Sequence, residues 1–131
     1  MEPRFTGFKS EVGSMKALFK SIGCALKGLR EAIRERNFLI EIGCAVLVII
    51  SIIVLKTSYI ENAILVICIG VVLGGEVMNT ALEKLSDFVS PSHHAEIGAI
   101  KDLMAAGVLI FSLLSRVVGF IILGSHLLPL L

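Results

Sequence analysis

Three long apolar segments limit what this chain can fold into. They cover residues 38–55, 60–89 and 100–128, the second being apolar to Gly75 and then helix-compatible towards its end. Each offers the roughly 20 helical residues that a bilayer core of about 30 Å requires. The hydrocarbon core offers the backbone no hydrogen-bond partners, so backbone groups must bond to one another. Helices are therefore strongly favoured over strands. We therefore predict an all-α protein with three transmembrane helices, forming a single membrane domain of 131 residues.

A basic amphipathic helix is predicted over residues 14–36, after a polar segment, 1–13, that we expect to be flexible. Apolar and basic residues recur there at helical spacing on opposite faces. The apolar face holds Met15, Leu18, Phe19, Ile22, Leu26, Leu29 and Ile33, and the basic face holds Lys16, Lys20, Lys27, Arg30 and Arg34. Such a helix is typical of the membrane interface. The alternative is a soluble helix that packs on a partner.

The distribution of charge predicts the orientation of the chain. The net charge is only +1, but eight of the twelve Lys and Arg residues precede Asn37. Beside apolar segments, this asymmetry indicates contact with a membrane rather than with nucleic acid. The basic block should stay in the cytoplasm, which places the 90–99 loop there too and the C-terminus outside.

Four polar residues form one stripe where the second apolar segment ends. Glu76, Asn79, Glu83 and Asp87 are spaced i, i+3, i+7 and i+11, which covers about 80° of a helix surface. A solvated helix face would explain Asp87 and Glu83. Glu76 directly follows an apolar run, and a carboxylate there costs several kcal/mol unless it is paired, hydrated or bound to metal. The stripe is therefore a candidate functional site.

The residue types in this layer are those that phosphoryl transfer requires. Carboxylates can hold Mg²⁺, whose remaining ligands come from water and phosphates, and a spare carboxylate can act as base. Glu35, Glu41, Lys101 and Asp102 can approach the stripe from the other helices. Two alternatives stay open: a non-catalytic membrane module or transporter subunit that uses the stripe as an ion site, and a lipid pyrophosphate phosphatase.

Three motifs together carry a resemblance to a known family. They are E-x-N-F followed by a further Glu at 35–41, "GEVMNTALEKLSD" at 75–87, and "HH" followed by "IKDLMAAGVLI" at 93–110. With these motifs the chain resembles the small prokaryotic membrane lipid kinases, the diacylglycerol kinase and undecaprenol kinase family. The resemblance implies a homotrimer in the bacterial inner membrane, with sites shared between subunits. It also implies Mg²⁺-dependent transfer of the ATP γ-phosphate to a lipid hydroxyl at the cytoplasmic interface.

The resemblance also implies a role for each matching residue. Glu76 corresponds to the general base, and Glu35 and Glu83 to the carboxylates that hold Mg²⁺. The residues that correspond to nucleotide-binding positions are Lys20, His94, Lys101 and Asp102, and further polar positions of the family are Glu41, Asn79 and Asp87. Cys24 departs from the family pattern, which usually has Tyr there. The residues leave the acceptor lipid open between undecaprenol and diacylglycerol.

Two polar residues of the third apolar segment need a separate interpretation. Arg116 lies fifteen residues after Lys101, or about 22 Å further along a helix. An arginine so deep is costly unless it is paired or reaches the interface. We expect Arg116 to extend towards the outer headgroups, with a functional role as the alternative. His126 is expected at the outer interface.

Overall fold

The computed structural model describes residues 15–90 and 94–130, and all the regular structure in them is helical. The helices are α1 (Met15–Ala32), α2 (Arg36–Leu55), α3 (Tyr59–Val89) and α4 (Ala95–Leu127), with a short 3₁₀ helix at Leu128–Leu130. The predicted all-α class with an N-terminal helix and three apolar helices is confirmed. The predicted flexible segment 1–13 lies outside the described residues, as does part of the predicted loop. α4 begins five residues before the predicted start of its span.

The chain divides into two compact units, and α1 up to Glu31 belongs to the first. This helix is amphipathic, as its sequence predicts, and its apolar residues Met15 and Phe19 are well exposed. Arg30 in its last turn has the sign of charge that stabilises a helix C-terminus. The position of α1 at the membrane interface stays a prediction.

The second unit, from Ala32 onward, contains the three long helices. Each is long and apolar enough to cross a membrane. Few of their residues are buried within the chain, and large apolar side chains such as Leu47, Ile67 and Phe120 are exposed. In water such a surface would be unfavourable, but it suits a bilayer, where lipid tails cover apolar side chains.

α3 and α4 form an antiparallel pair that is joined along its whole length. Polar contacts lie near both ends of the pair. Between these ends, small residues allow the two helices to approach closely. From one end to the other the facing pairs are Asp87 with Lys101, Gly75 with Val108, Cys68 with Ser115, and Glu61 with His126. This register determines which residues of α3 and α4 can share a site.

The turn between α2 and α3 is fixed by its own side chains. Lys56 adopts the left-handed conformation, with φ of 51°, and ends α2. Ser58 then caps α3 through a capping box: its backbone N–H donates to Glu61 Oε2 at 2.7 Å, and its hydroxyl accepts from the Glu61 N–H at 3.4 Å. The turn therefore sets where α3 begins.

At Gly75, α3 and α4 lie so close together that an added side chain would crowd α4. A Cβ atom on Gly75 would lie 3.2 Å from Phe111 Cδ2 and 3.6 Å from Val108 Cγ2. We expect Gly75→Val to reduce stability by about 1–3 kcal/mol, because the valine overpacks this contact. Thermal unfolding of the purified protein in detergent measures the effect as a lower midpoint.

Gly74 provides the matched control, since it is the neighbouring residue on the same helix. Apart from the adjoining residues of its own helix, a Cβ atom on Gly74 would have no described atom within 4 Å. Gly74→Val carries the same change in helix propensity without the clash, so its unfolding midpoint should stay close to that of the wild type. Equal losses in the two variants would show that the contact with Phe111 does not limit side-chain size here.

Candidate active site

A polar cavity of about 300 Å³ lies between α2, α3 and α4. Its polar residues come from all three helices, so its shape depends on how the helices pack. The residues that line this polar cavity are Asn37, Ile40, Glu41, Glu76, Asn79, Ala105, Val108, Leu109, Ser112 and Arg116. The structure thus brings together three of the sequence-predicted residues, Glu41, Glu76 and Asn79. The cavity is the main candidate for an active site.

Glu76 is a carboxylate without a partner in this cavity. It follows Gly75, which packs against α4, and only 8% of the residue is exposed. Within the described part of the chain, its side chain makes no hydrogen bond or ion pair. An unpaired carboxylate inside an apolar bundle is energetically costly. Its oxygens therefore stay available to accept a proton or a hydrogen bond from a molecule that enters the cavity.

Asn79 lies one helical turn further on and links the cavity to Glu83. Its Nδ2 donates a hydrogen bond to Glu83 Oε1 at 3.0 Å. Its Oδ1 is buried and has no hydrogen-bond partner within the described chain. A buried acceptor left unpaired costs about 1–3 kcal/mol. An incoming hydroxyl group or a cation would remove that cost, so Asn79 Oδ1 is a second group suited to a ligand.

Glu41 is held by α4 in the wall of the cavity opposite α3. Its Oε1 accepts a hydrogen bond from Ser112 Oγ at 3.0 Å and forms an ion pair with Arg116 Nη2 at 2.9 Å. The side chain of Glu41 is only 14% exposed, whereas that of Arg116 is 47% exposed. The expectation that Arg116 extends to the outer headgroups is wrong, because the half-buried carboxylate of Glu41 provides its counter-charge.

A second cavity, of about 450 Å³ and almost wholly apolar, adjoins the first between the same three helices. Leu65, Val72 and Phe120 are among its lining residues. Glu41 and Arg116 line both cavities, so the ion pair lies where the apolar cavity meets the polar one. Together, the two cavities provide adjacent binding sites for an apolar chain and for a polar group.

Lys101 and Asp87 lie together at the end of the α3–α4 pair nearest the predicted loop. Lys101 Nζ forms an ion pair with Asp87 Oδ1 at 2.8 Å, and both side chains are accessible to solvent. The stripe residue Asp87 therefore orients a lysine of the facing helix. An ammonium group has three N–H donors, so a lysine paired in this way can still donate a hydrogen bond to a phosphate.

The other predicted residues do not line either cavity. Glu35 is the half-buried residue before α2, His94 is the exposed residue before α4, and Asp102 is exposed on α4. Lys20 lies on α1 in the separate unit. Within residues 15–90 and 94–130, no group of three or more His, Cys, Asp or Glu side chains is arranged to hold a metal ion. The roles assigned to these residues stay predictions.

Three apolar helices around a cavity with a free carboxylate define a multi-pass membrane protein with a polar site inside its bundle. Residues 23–123 match the family model for prokaryotic diacylglycerol kinase. The chain is 33% identical to undecaprenol kinase of Bacillus subtilis (strain 168) over 115 residues, which are 87% of this chain and 94% of that protein. It is also 33% identical to diacylglycerol kinase of Escherichia coli (strain K12) over 111 residues, 83% and 90% of the two chains. No solved structure matches it significantly.

The chain therefore belongs to the prokaryotic diacylglycerol kinase family, and the resemblance inferred from its motifs is confirmed. It is a membrane enzyme of a lipid kinase family, for which ATP and a lipid are the substrates. Membership of this family sets aside the two alternatives, a non-catalytic membrane module and a phosphatase.

Sequence reasoning missed the contribution of α4 to the cavity. Ser112 was not singled out, and Arg116 was assigned to the outer interface. A usable signal was present: the two residues lie four positions apart, hence on one face of a helix, and a charged residue inside an apolar span needs a partner. Glu41 is the acidic residue within the first apolar span. These signals indicate that Arg116 needs an acidic partner, but not that α2 and α4 align so that Glu41 is that partner.

Proposed function

We propose that this chain transfers the γ-phosphate of ATP to the primary hydroxyl of a membrane lipid, undecaprenol or diacylglycerol, and that the polar cavity receives the hydroxyl. The observation that carries the proposal is the unpaired carboxylate of Glu76 beside the unpaired amide oxygen of Asn79. Both are acceptors, and a lipid alcohol is a donor that reaches this depth because its tail lies in the bilayer. The adjoining apolar cavity supports this placement.

Glu76 is the proposed general base. The hydroxyl proton passes to its carboxylate while the hydroxyl oxygen forms a bond to the γ-phosphorus. The bond between the γ-phosphorus and the β–γ bridging oxygen breaks, and ADP leaves with the electron pair of that bond. General base catalysis of this kind contributes about 10²–10⁴-fold to rate. The membrane and the cavity hold the hydroxyl in place, which lowers the entropic part of the barrier.

Glu83 and Glu35 are the proposed ligands of a magnesium ion. The donor set fits: Glu83 offers a hard carboxylate, and the buried Asn79 Oδ1 next to it lacks a partner. Mg²⁺ takes one or two protein carboxylates together with water and phosphate oxygens, so one chain need not offer three acidic ligands. When bound, the ion would neutralise charge on the transferring phosphoryl group. The hydrogen bond from Asn79 to Glu83 links the lipid site to this site.

Lys101 is the proposed contact to the phosphates of ATP, and Asp87 orients it through their ion pair. His94, Asp102 and Lys20 are proposed to complete the nucleotide site. We further propose, as the resemblance to the family implies, that the chain acts as a homotrimer in which subunits share residues of each site. We propose that this site lies on the cytoplasmic side, where ATP is available; the excess of Lys and Arg in the N-terminal block supports this orientation.

A direct assay tests the proposal. Purified protein in mixed micelles receives ATP radiolabelled in the γ-phosphate, with undecaprenol, a diacylglycerol or no added lipid. We expect label in the chloroform-extractable fraction only when Mg²⁺ and a lipid alcohol are present. ATP labelled in the α-phosphate should leave that fraction unlabelled. Transfer of label from the α-phosphate, or none from the γ-phosphate with either lipid, would contradict the proposed reaction.

A further inference from the structure

The ion pair between Arg116 and Glu41 lies at the junction of the polar and apolar cavities. A lipid whose hydroxyl approaches Glu76 and whose tail enters the apolar cavity has to pass this pair. The part of the lipid that meets Arg116 is then the part between hydroxyl and tail. The chemistry of that part distinguishes the possible acceptors.

Arg116 has hydrogen-bond donors left over after its pairing with Glu41. A guanidinium group carries five N–H donors, and the described chain uses Nη2 for Glu41. The side chain is 47% exposed and lines both cavities, so a ligand there can reach the guanidinium group. In an apolar bundle donors need acceptors, because no bulk water supplies them. A ligand with an acceptor at this point would gain from the contact.

Glycerol esters and polyprenols differ at this point. In a 1,2-diacylglycerol, ester carbonyl oxygens lie within a few bonds of the free hydroxyl, whereas a polyprenol continues from its hydroxyl as hydrocarbon. The polar cavity contains both Glu76 and Arg116, so it can receive the hydroxyl and an ester group together. A polyprenol would leave the donors of Arg116 without a partner. The free-energy cost of desolvating these donors would then weaken its binding.

We propose that Arg116 is a specificity-determining residue that hydrogen-bonds an ester carbonyl next to the acceptor hydroxyl, and that the acceptor is a diacylglycerol. Glu41 and Ser112 position the guanidinium for this contact through their shared oxygen, Glu41 Oε1. This inference rests on the proposed function, since it assumes that a lipid hydroxyl enters the polar cavity. It goes further by naming the lipid class and the residue that selects it.

A matched pair of substrates isolates the carbonyl contact. A 1,2-diacylglycerol and the 1,2-dialkylglycerol of the same chain length differ in their ester carbonyls but share the hydroxyl and tails. We expect wild-type kcat/KM to be higher for the ester by about tenfold or more, the value of one hydrogen bond from a charged donor. Arg116→Met should lower kcat/KM for the ester by about the same factor while changing that for the ether by less than about threefold.

A structural role for the ion pair predicts a different pattern. If the pair only joins α2 to α4, Arg116→Met lowers activity on ester and ether equally, and this result would overturn the proposal. Equal wild-type activity on ester and ether, or a preference for undecaprenol over both, would also overturn it. Arg116→Lys retains a cationic donor and should restore part of the ester preference. Failure of all three lipids to be phosphorylated would instead contradict the proposed function itself.

Discussion

Glu76→Gln should abolish lipid phosphorylation, with a loss in kcat of about 10²–10⁴-fold, the usual contribution of a general base. Glutamine keeps the size and a hydrogen-bond acceptor but cannot take the proton from the acceptor hydroxyl. Because Glu76 makes no hydrogen bond or ion pair within the described chain, its replacement removes no folded-state contact. Initial rates at saturating ATP and lipid measure the effect, and thermal unfolding should show a midpoint no lower than that of the wild type.

Glu61→Gln is the matched control. Glu61 is an acidic residue on the same helix, but it pairs with His126 at the opposite end of the α3–α4 pair. Its replacement weakens that pair and one side of the capping box, so stability should fall slightly while kcat stays within about threefold of the wild type, since no reacting atom is near. A similar loss of kcat in both variants would contradict the assignment of Glu76 as base.

The second large effect is expected for Glu83→Gln. The glutamine oxygen can still accept the hydrogen bond from Asn79 Nδ2, which Glu83 Oε1 accepts in the wild type at 3.0 Å. Only the negative charge of the proposed metal ligand is lost. We expect the half-saturating Mg²⁺ concentration to rise by at least about tenfold, since even residues that only support a ligand alter metal affinity by 10–100-fold. A titration of activity against Mg²⁺ at fixed ATP measures it.

Glu96→Gln serves as the control for this experiment. Glu96 is an exposed acidic residue in the first turn of α4 and has no proposed role. The Mg²⁺ dependence of this variant should match that of the wild type, because an exposed single charge contributes little. An unchanged half-saturating Mg²⁺ concentration in Glu83→Gln would mean that Glu83 does not hold the metal.

The sequence predicts the long helices well because their signals are local. Membrane-spanning length can be read from each apolar run without knowledge of its neighbours, and the stripe from Glu76 to Asp87 follows from helical spacing alone. The structure contains both features, and it also shows that the residues of the stripe belong to two different places. Glu76 and Asn79 line the polar cavity, while Asp87 pairs with Lys101 near the end of the bundle.

The features that could not be predicted depend on the register between helices. Nothing local distinguishes Gly74 from Gly75, but only Gly75 packs against Phe111 within the described chain. The pairing of Arg116 with Glu41 joins residues 75 positions apart, and it requires α2 and α4 to be aligned so that their charges meet. Such alignment is set by packing over the whole bundle, which the period of one helix does not encode.

The central claim, that the polar cavity receives the lipid hydroxyl, is tested most directly by photocrosslinking. A lipid acceptor with a photoreactive diazirine beside its hydroxyl is irradiated with the purified protein, and the labelled residues are located by mass spectrometry. Label should fall on the cavity segments around Glu41, Glu76 and Ser112, and excess unlabelled acceptor should prevent it. Competable label confined to the other end of the bundle, near Glu61 and His126, would contradict this account.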